Sequence, residues 1–254
     1  MNASTIALFE TTFDVLYLLL VWGMVLLMTI KMSDVPEADR KTAYWIRLAF
    51  ILLAAGDTGH VGFRVFAQIL GLMDTPIPVF GAPMNLIEIG MMTTAFTVTM
   101  FYMVFIFVWQ ARYQQPGNWF TKFLLAVGVV RIIFMALPAN QWGEVVPPQP
   151  IGIYRNLFLI VQGLGLLGLL FYSARRKQDI LFQTIAWMIV LSFVFYTPVI
   201  LFASKIPLIG MLMIPKTCAY LAVAIIAYNG LWKTKKQLVS YDANSLLVEK
   251  GTSS

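Results

Sequence analysis

Cysteine is almost absent from this chain: the one thiol, Cys218, excludes an internal disulfide and any cysteine-ligated metal cluster. Histidine is as scarce, and a lone His60 excludes the multi-histidine iron centres of membrane oxygenases and desaturases. Charge is thin as well: only 12 % of the 254 residues are Asp, Glu, Lys or Arg, about half the share usual in soluble domains. With 59 % hydrophobic and 14 % aromatic residues, the chain lacks the polar surface that a water-soluble globule of this length needs. The net charge of +6 suggests nucleic acid only in a soluble protein. Here the basic residues sit in short clusters between apolar runs, where they act as topology signals, so no nucleic-acid partner is expected.

Apolar runs fill most of the chain. An α-helix needs about 20 apolar residues to cross the hydrocarbon core, and seven runs qualify: 8–30, 43–71, 84–112, 119–139, 151–175, 179–204 and 208–232. The first carries Glu10 and Asp14 and lacks both a basic start and a small-residue cleavage site, so it reads as a retained span rather than a signal peptide. The fold class expected is all-α, a seven-transmembrane-helix bundle. Residues 1–236 form one membrane domain, and 237–254 a flexible cytoplasmic tail.

Orientation follows from the connections. Lys31, Arg40, Lys41 and Arg47 bracket the first, Arg112 and Lys122 the third, and Arg175, Arg176 and Lys177 the fifth, while Lys233, Lys235 and Lys236 follow the last run. The second and fourth, around Asp74–Pro83 and Gln141–Gly152, carry no Lys or Arg, and the sixth has only Lys205. Basic residues stay cytoplasmic, so the N-terminus is expected outside and the C-terminus inside, in a multi-pass protein of the cell membrane with lipid as its partner. Trp45, Trp119, Trp142 and Trp232 near the run ends fit interfacial belts.

An ionisable group in hydrocarbon costs at least about 2.5–3.5 kcal/mol, so those present need partners or water. Combined with the orientation, their positions are one-sided. Glu10 and Asp14, His60 and Arg64, Glu88, Arg131, and Arg155 with Asn156 fall toward the outer half, Asp57 and Lys216 lie near the middle of their runs, and the inner halves are nearly free of formal charge. In Gly56-Asp-Thr-Gly-His-Val-Gly-Phe-Arg64 the spacing i, i+3, i+7 puts Asp57, His60 and Arg64 within about 60° of one helical face. Gly56, Gly59 and Gly62 make a separate small-residue track for a neighbouring helix or a ligand. Glu10 and Asp14 share a face of the first run, Glu88, Thr99 and Tyr102 one of the third, and Arg155 and Gln162 one of the fifth.

Two readings fit that pattern. Four carboxylates (Glu10, Asp14, Asp57, Glu88) and four cations (Arg64, Arg131, Arg155, Lys216) form either a self-neutralising structural network or the wall of a ligand cavity. The cavity is the expectation, because the membrane penalty falls on pairs as well as single charges. Arginine's planar fork suits an anionic or zwitterionic head group. The expected function is a receptor or transport-type protein that binds a small polar or amphipathic ligand. Its contacts are Arg64, Glu88, Arg131, Arg155, Asn156, Gln162, Tyr196 and Lys216. Neither a metal nor a cofactor is called for by the spacing, and the oligomeric state is left open.

One alternative is an intramembrane lipid-modifying enzyme in which His60 and Asp57, or His60 and Glu88, act as acid and base. Another starts from Lys216, which follows Pro215 in the last run and shares a face with Tyr220. A lysine in the last helix, carboxylates on the second and third, and Tyr196-Thr197-Pro198 on the sixth are similar in outline to microbial retinal proteins. That likeness implies a retinal Schiff base on Lys216. The chain departs from those proteins at Leu212, where an aspartate is usual, and in lacking an arginine before the carboxylate of the third run.

The remaining patterns are read as structural. Gly163-Leu-Gly-Leu-Leu-Gly168 resembles a dinucleotide-loop pattern, yet with no strand before it the expectation is close helix packing. Pro147-Pro148-Gln149-Pro150 reads as a stiff outer loop. Met91-Met92 and the methionines at 211 and 213 read as adaptable packing. No residue pattern recurs between the first three and the last three runs.

Overall fold

The computed structural model describes residues 3–72, 75–79, 82–142, 150–202 and 205–233. Seven α-helices run through them: α1 (Ala3–Ile30), α2 (Glu37–Leu70), α3 (Leu86–Tyr113), α4 (Trp119–Met135), α5 (Ile151–Arg176), α6 (Ile180–Phe202) and α7 (Met213–Leu231). A short antiparallel hairpin, β1 (Ile77–Val79) and β2 (Ala82–Met84), lies between α2 and α3. The residues 147–149 of the proline-rich loop and the expected tail at 237–254 lie outside the described residues.

Six segments are helical, long and apolar enough to cross a membrane: Thr12–Ile30, Glu37–Ala67, Leu86–Tyr113, Ile151–Arg176, Ile180–Phe202 and Leu208–Leu231. Their outer faces carry bare hydrophobic side chains such as Leu19, Leu164, Trp187 and Val194, each more than half exposed. Water tolerates no such continuous apolar surface, and lipid does. The chain is therefore a helical membrane protein.

The run expected at 119–139 is the one that does not qualify. Helix α4 has 17 residues, about 26 Å at 1.5 Å per residue, against a hydrocarbon core of about 30 Å. It starts firmly, with a reciprocal cap in which the Asn118 side chain accepts from Thr121 N and the Thr121 hydroxyl accepts from Asn118 N. Pro138 cuts it short, because the residue before a proline is pushed out of helical geometry, and Leu137 is extended. The last run is also divided, into a 3-10 segment at Pro207–Leu212 followed by α7.

The other helix ends follow from local chemistry. Asn85 caps α3 by accepting from Glu88 N at 3.0 Å, and the far end stops at Gln114 in a left-handed conformation (φ 50°) two residues before Pro116. Asp179 starts α6 in the same way, accepting from Phe182 N at 3.2 Å.

Helices α2 and α3 pack most intimately. A side chain at Gly90 would meet Gly59 O and His60 Cα at 3.1 Å, and one at Gly59 would meet Thr93 at 3.0 Å. Gly56 faces Thr97, and Thr94 Oγ1 donates across the gap to Gly56 O at 2.9 Å. Gly62, expected on the same track, has nothing within 4 Å. Similarly Gly163 accommodates the Phe193 ring and Gly165 the Leu124 side chain, whereas Gly168 faces open space. This contact fixes the register of the stripe carrying Asp57 and His60 against α3.

The core is aromatic. Phe101 meets Phe50, Tyr102, Phe105 and Tyr220 at ring-centroid distances of 4.7–5.7 Å. Nearer the other end Trp109 Nε1 donates to Ser173 Oγ at 2.9 Å, and Trp232 Nε1 donates to Met28 O at 2.9 Å, tying the end of α7 to α1.

Candidate functional site

All seven helices contribute to one cavity of about 430 Å³. Its wall comes from the N-terminal halves of α1, α3, α5 and α7 and the C-terminal halves of α2, α4 and α6. It therefore occupies one end of the bundle. Eight of the ten residues singled out in the sequence line it: Asp57, His60, Arg64, Arg131, Arg155, Asn156, Tyr196 and Lys216.

Arg131 is the most constrained of these. It is 2 % exposed, and its guanidinium is spent on main chain and hydroxyl: Nε donates to Arg155 O at 3.0 Å, and Nη1 donates to Ala95 O at 3.3 Å and to Thr99 Oγ1. Two helices, α3 and α5, thus grip a cation carried by a third, and its Nη2 makes no hydrogen bond within the described residues. Arg155 stacks its guanidinium on the Trp142 ring, 4.2 Å from the centroid. Lys216 Nζ sits 4.1 Å over the Tyr196 ring, whose hydroxyl in turn donates to Asn156 Oδ1 at 3.1 Å. Aromatic faces hold these cations in place without consuming the donors that a ligand anion needs.

Asp57 accepts from the Tyr17 hydroxyl at 3.1 Å. His60 pairs with Arg64, its Nε2 lying 3.1 Å from Arg64 Nη2. Because a guanidinium only donates, Nε2 is the acceptor and the ring proton is on Nδ1, which is buried without a partner among the described residues. Asp57 and His60, the acid and base of the enzyme alternative, are thus engaged with Tyr17 and Arg64 rather than with each other.

Glu88 and Gln162 are not part of the cavity wall. Glu88 occupies the first turn of α3, where its backbone is capped by Asn85 and a carboxylate favours the helix N-terminus. Gln162 shares the Arg155 face of α5 but lies two turns deeper, fully buried, with neither side-chain polar atom hydrogen-bonded among the described residues.

Among the described residues the cavity wall is not charge-balanced. Between described residues, ion pairs occur at the opposite end of the bundle, where Arg112 Nη1 meets Asp39 Oδ1 at 2.5 Å and Arg112 Nε meets Asp179 Oδ2 at 2.8 Å. Among the described residues the cavity wall holds four cations, Arg64, Arg131, Arg155 and Lys216, against two carboxylates, Asp14 and Asp57. Among the described residues no group of three or more His, Cys, Asp or Glu side chains is placed to hold a metal ion.

Sequence reasoning missed Tyr17, whose position three residues after Asp14 on α1 was an available signal. It also read Trp142 as an interfacial belt residue when its ring is the platform for Arg155, a relation across a loop that no periodicity reports. No protein-family model, curated protein or solved structure matches the chain, so its function is argued from the chemistry of this cavity.

Proposed function

We propose that the protein crosses the cell membrane seven times with its N-terminus outside. On this reading it acts as a receptor or transport-type protein, binding a small anionic, zwitterionic or amphipathic ligand in an outward-facing pocket. Support for the orientation comes from the connections. The cavity end is the end at which Lys205 is the lone basic residue of the connecting loops, whereas Lys31, Arg112, Lys122, Arg175, Arg176 and Lys177 gather at the other. Helix α4, though short, is the seventh span. Its shortness lets Arg131 lie near the aqueous side, where the cost of a charge is lower.

The observation that carries the ligand reading is the surplus of cations over carboxylates among the described residues of a cavity between helices. Closed ion pairs would neutralise the site from within; a cationic surplus calls for an anion from outside. A volume of about 430 Å³ falls within the roughly 300–1,000 Å³ of small-molecule sites. Arg131 and Arg155 bind the acidic group, and Lys216 and Arg64 add field. Asp57, held by Tyr17, balances charge.

Native mass spectrometry of the protein released gently from its membrane tests this. An acidic or zwitterionic small molecule is expected to stay bound one-to-one and to be lost in Arg155→Gln. A protein that carries nothing, or the same molecules with and without that arginine, sinks the reading.

A further inference from the structure

The cavity has a second chemical feature beside its charge. Three methionines, Met91 from α3 and Met211 and Met213 from the start of the α7 region, line it together with Val98, Leu159 and Ile214. Methionine is unbranched, flexible and polarizable, and it moulds itself to apolar groups of variable shape. A simple inorganic anion has no use for such a wall. A sugar or nucleotide would use open amide partners, whereas the Asn156 amide in the wall is engaged at both ends, accepting from Tyr196 and donating to Gly152 O.

The charged pole is equally defined. Arg131 is aimed by its bonds to Arg155 O, Ala95 O and Thr99. Arg155 lies over the Trp142 ring, 4.2 Å from its centroid, a contact that does not use up N–H donors. Both arginines belong to the α4–α5 side. Asp57 stands on α2 with the Tyr17 hydroxyl on it and repels a second anion. The acid group of a ligand therefore has one favourable corner and an adaptable apolar wall beyond it.

We propose that the ligand is an amphipathic acid: a carboxylate or phosphate head held between Arg131 and Arg155, on a flexible alkyl body lying against Met91, Met211 and Met213. This rests on the pocket reading above and narrows it to one ligand class. Carboxylate and phosphate heads share the recognition chemistry, and the probes separate them.

The experiment uses the full chain in lipid nanodiscs, with empty nanodiscs as the partition control. Binding is followed by calorimetry and by the unfolding midpoint. Sodium dodecanoate and dodecyl phosphate supply the two heads. Dodecanol and dodecyltrimethylammonium supply the body without an acid, and acetate and inorganic phosphate the acid without a body.

At least one of the two amphipathic acids is expected to bind saturably and raise the midpoint. The body-only and acid-only probes are expected to be at least about tenfold weaker, ~1.4 kcal/mol. Arg155→Gln is expected to weaken the amphipathic acid at least about tenfold while the protein still folds, since within the described residues that guanidinium only stacks on a ring. Met211→Asn is expected to weaken dodecanoate and leave acetate unchanged.

Acetate or inorganic phosphate binding as tightly as its dodecyl counterpart, still dependent on Arg155, overturns the amphiphile and leaves the anion pocket standing. Dodecanol or dodecyltrimethylammonium matching the acid shows an unselective apolar crevice and overturns the proposal. If no probe binds, and Arg155→Gln also leaves the native mass spectrum unchanged, both the amphiphile and the pocket fall.

Discussion

Arg131 Nε donates to the main-chain carbonyl of Arg155 at 3.0 Å, so one cavity arginine holds the helix that carries the other. Substituting Arg131 therefore acts on the fold as well as on the cavity. Arg131→Gln leaves buried acceptors on α3 and α5 short of a donor, at about 1–3 kcal/mol for each such group. It is expected to lower the unfolding midpoint in detergent clearly, whereas Arg155→Gln lowers ligand affinity and leaves the midpoint nearly unchanged. Equal midpoints for the two variants would show that the bonds from Arg131 to the α3 and α5 carbonyls do not hold the bundle.

Tyr17→Phe removes the hydroxyl that donates to Asp57 at 3.1 Å. A loss of about 0.5–1.5 kcal/mol is expected, and Asp57→Asn combined with Tyr17→Phe should cost less than the sum of the two singles. A double-mutant cycle on thermal unfolding measures this, and strict additivity would mean that the two side chains act independently.

Glycines of α2 and α3 that look alike in sequence differ in surroundings. Gly90→Ala drives a methyl into the backbone of α2 at 3.1 Å and is expected to destabilise by about 1–3 kcal/mol. Gly62→Ala meets nothing within 4 Å and is expected to be neutral or slightly stabilising, since alanine favours the helix. Unfolding midpoints of the two variants decide the matter.

At the opposite end, Arg112→Gln breaks both ion pairs, to Asp39 and to Asp179. A loss of about 1–2 kcal/mol is expected for these partly exposed pairs. Faster hydrogen exchange should follow at the starts of α2 and α6, with ligand affinity unaffected. Weakened binding in this variant would mean that the two ends are coupled.

Topology has its own test, made simple by the single native cysteine. In a Cys218→Ser background, a cysteine at Lys205 is expected to react with a membrane-impermeant maleimide added outside intact cells, and one at Lys177 only after permeabilisation. Both positions are exposed. The reverse pattern would invert the proposed orientation.

The helices and the gathering of polar groups at one end were legible in the sequence, because hydrophobic runs and loop charges follow directly from the energetics of lipid. The face of a residue was legible too, as Asp57, His60 and Arg64 show. Depth was harder: Gln162 shares a face with Arg155, yet seven residues take it about 10 Å further along the axis, into the closed core. Partner choice was not legible. His60 had Asp57 three residues before it and Arg64 four after, and only the packed geometry selects Arg64. Nor does residue type reveal that the partners of Arg131 are mainly carbonyl oxygens, groups that every residue carries. The alternative of a charge-balanced network overlooked such acceptors, because it paired cations with carboxylates alone.

Helix α3 carries Thr99, which grips Arg131 in the cavity wall, and Arg112, which clasps Asp39 and Asp179. The two grips are thirteen residues apart on one continuous α-helix, about 20 Å along its axis. A continuous helix pinned at both points cannot slide or roll at one membrane face without straining its clasp at the other.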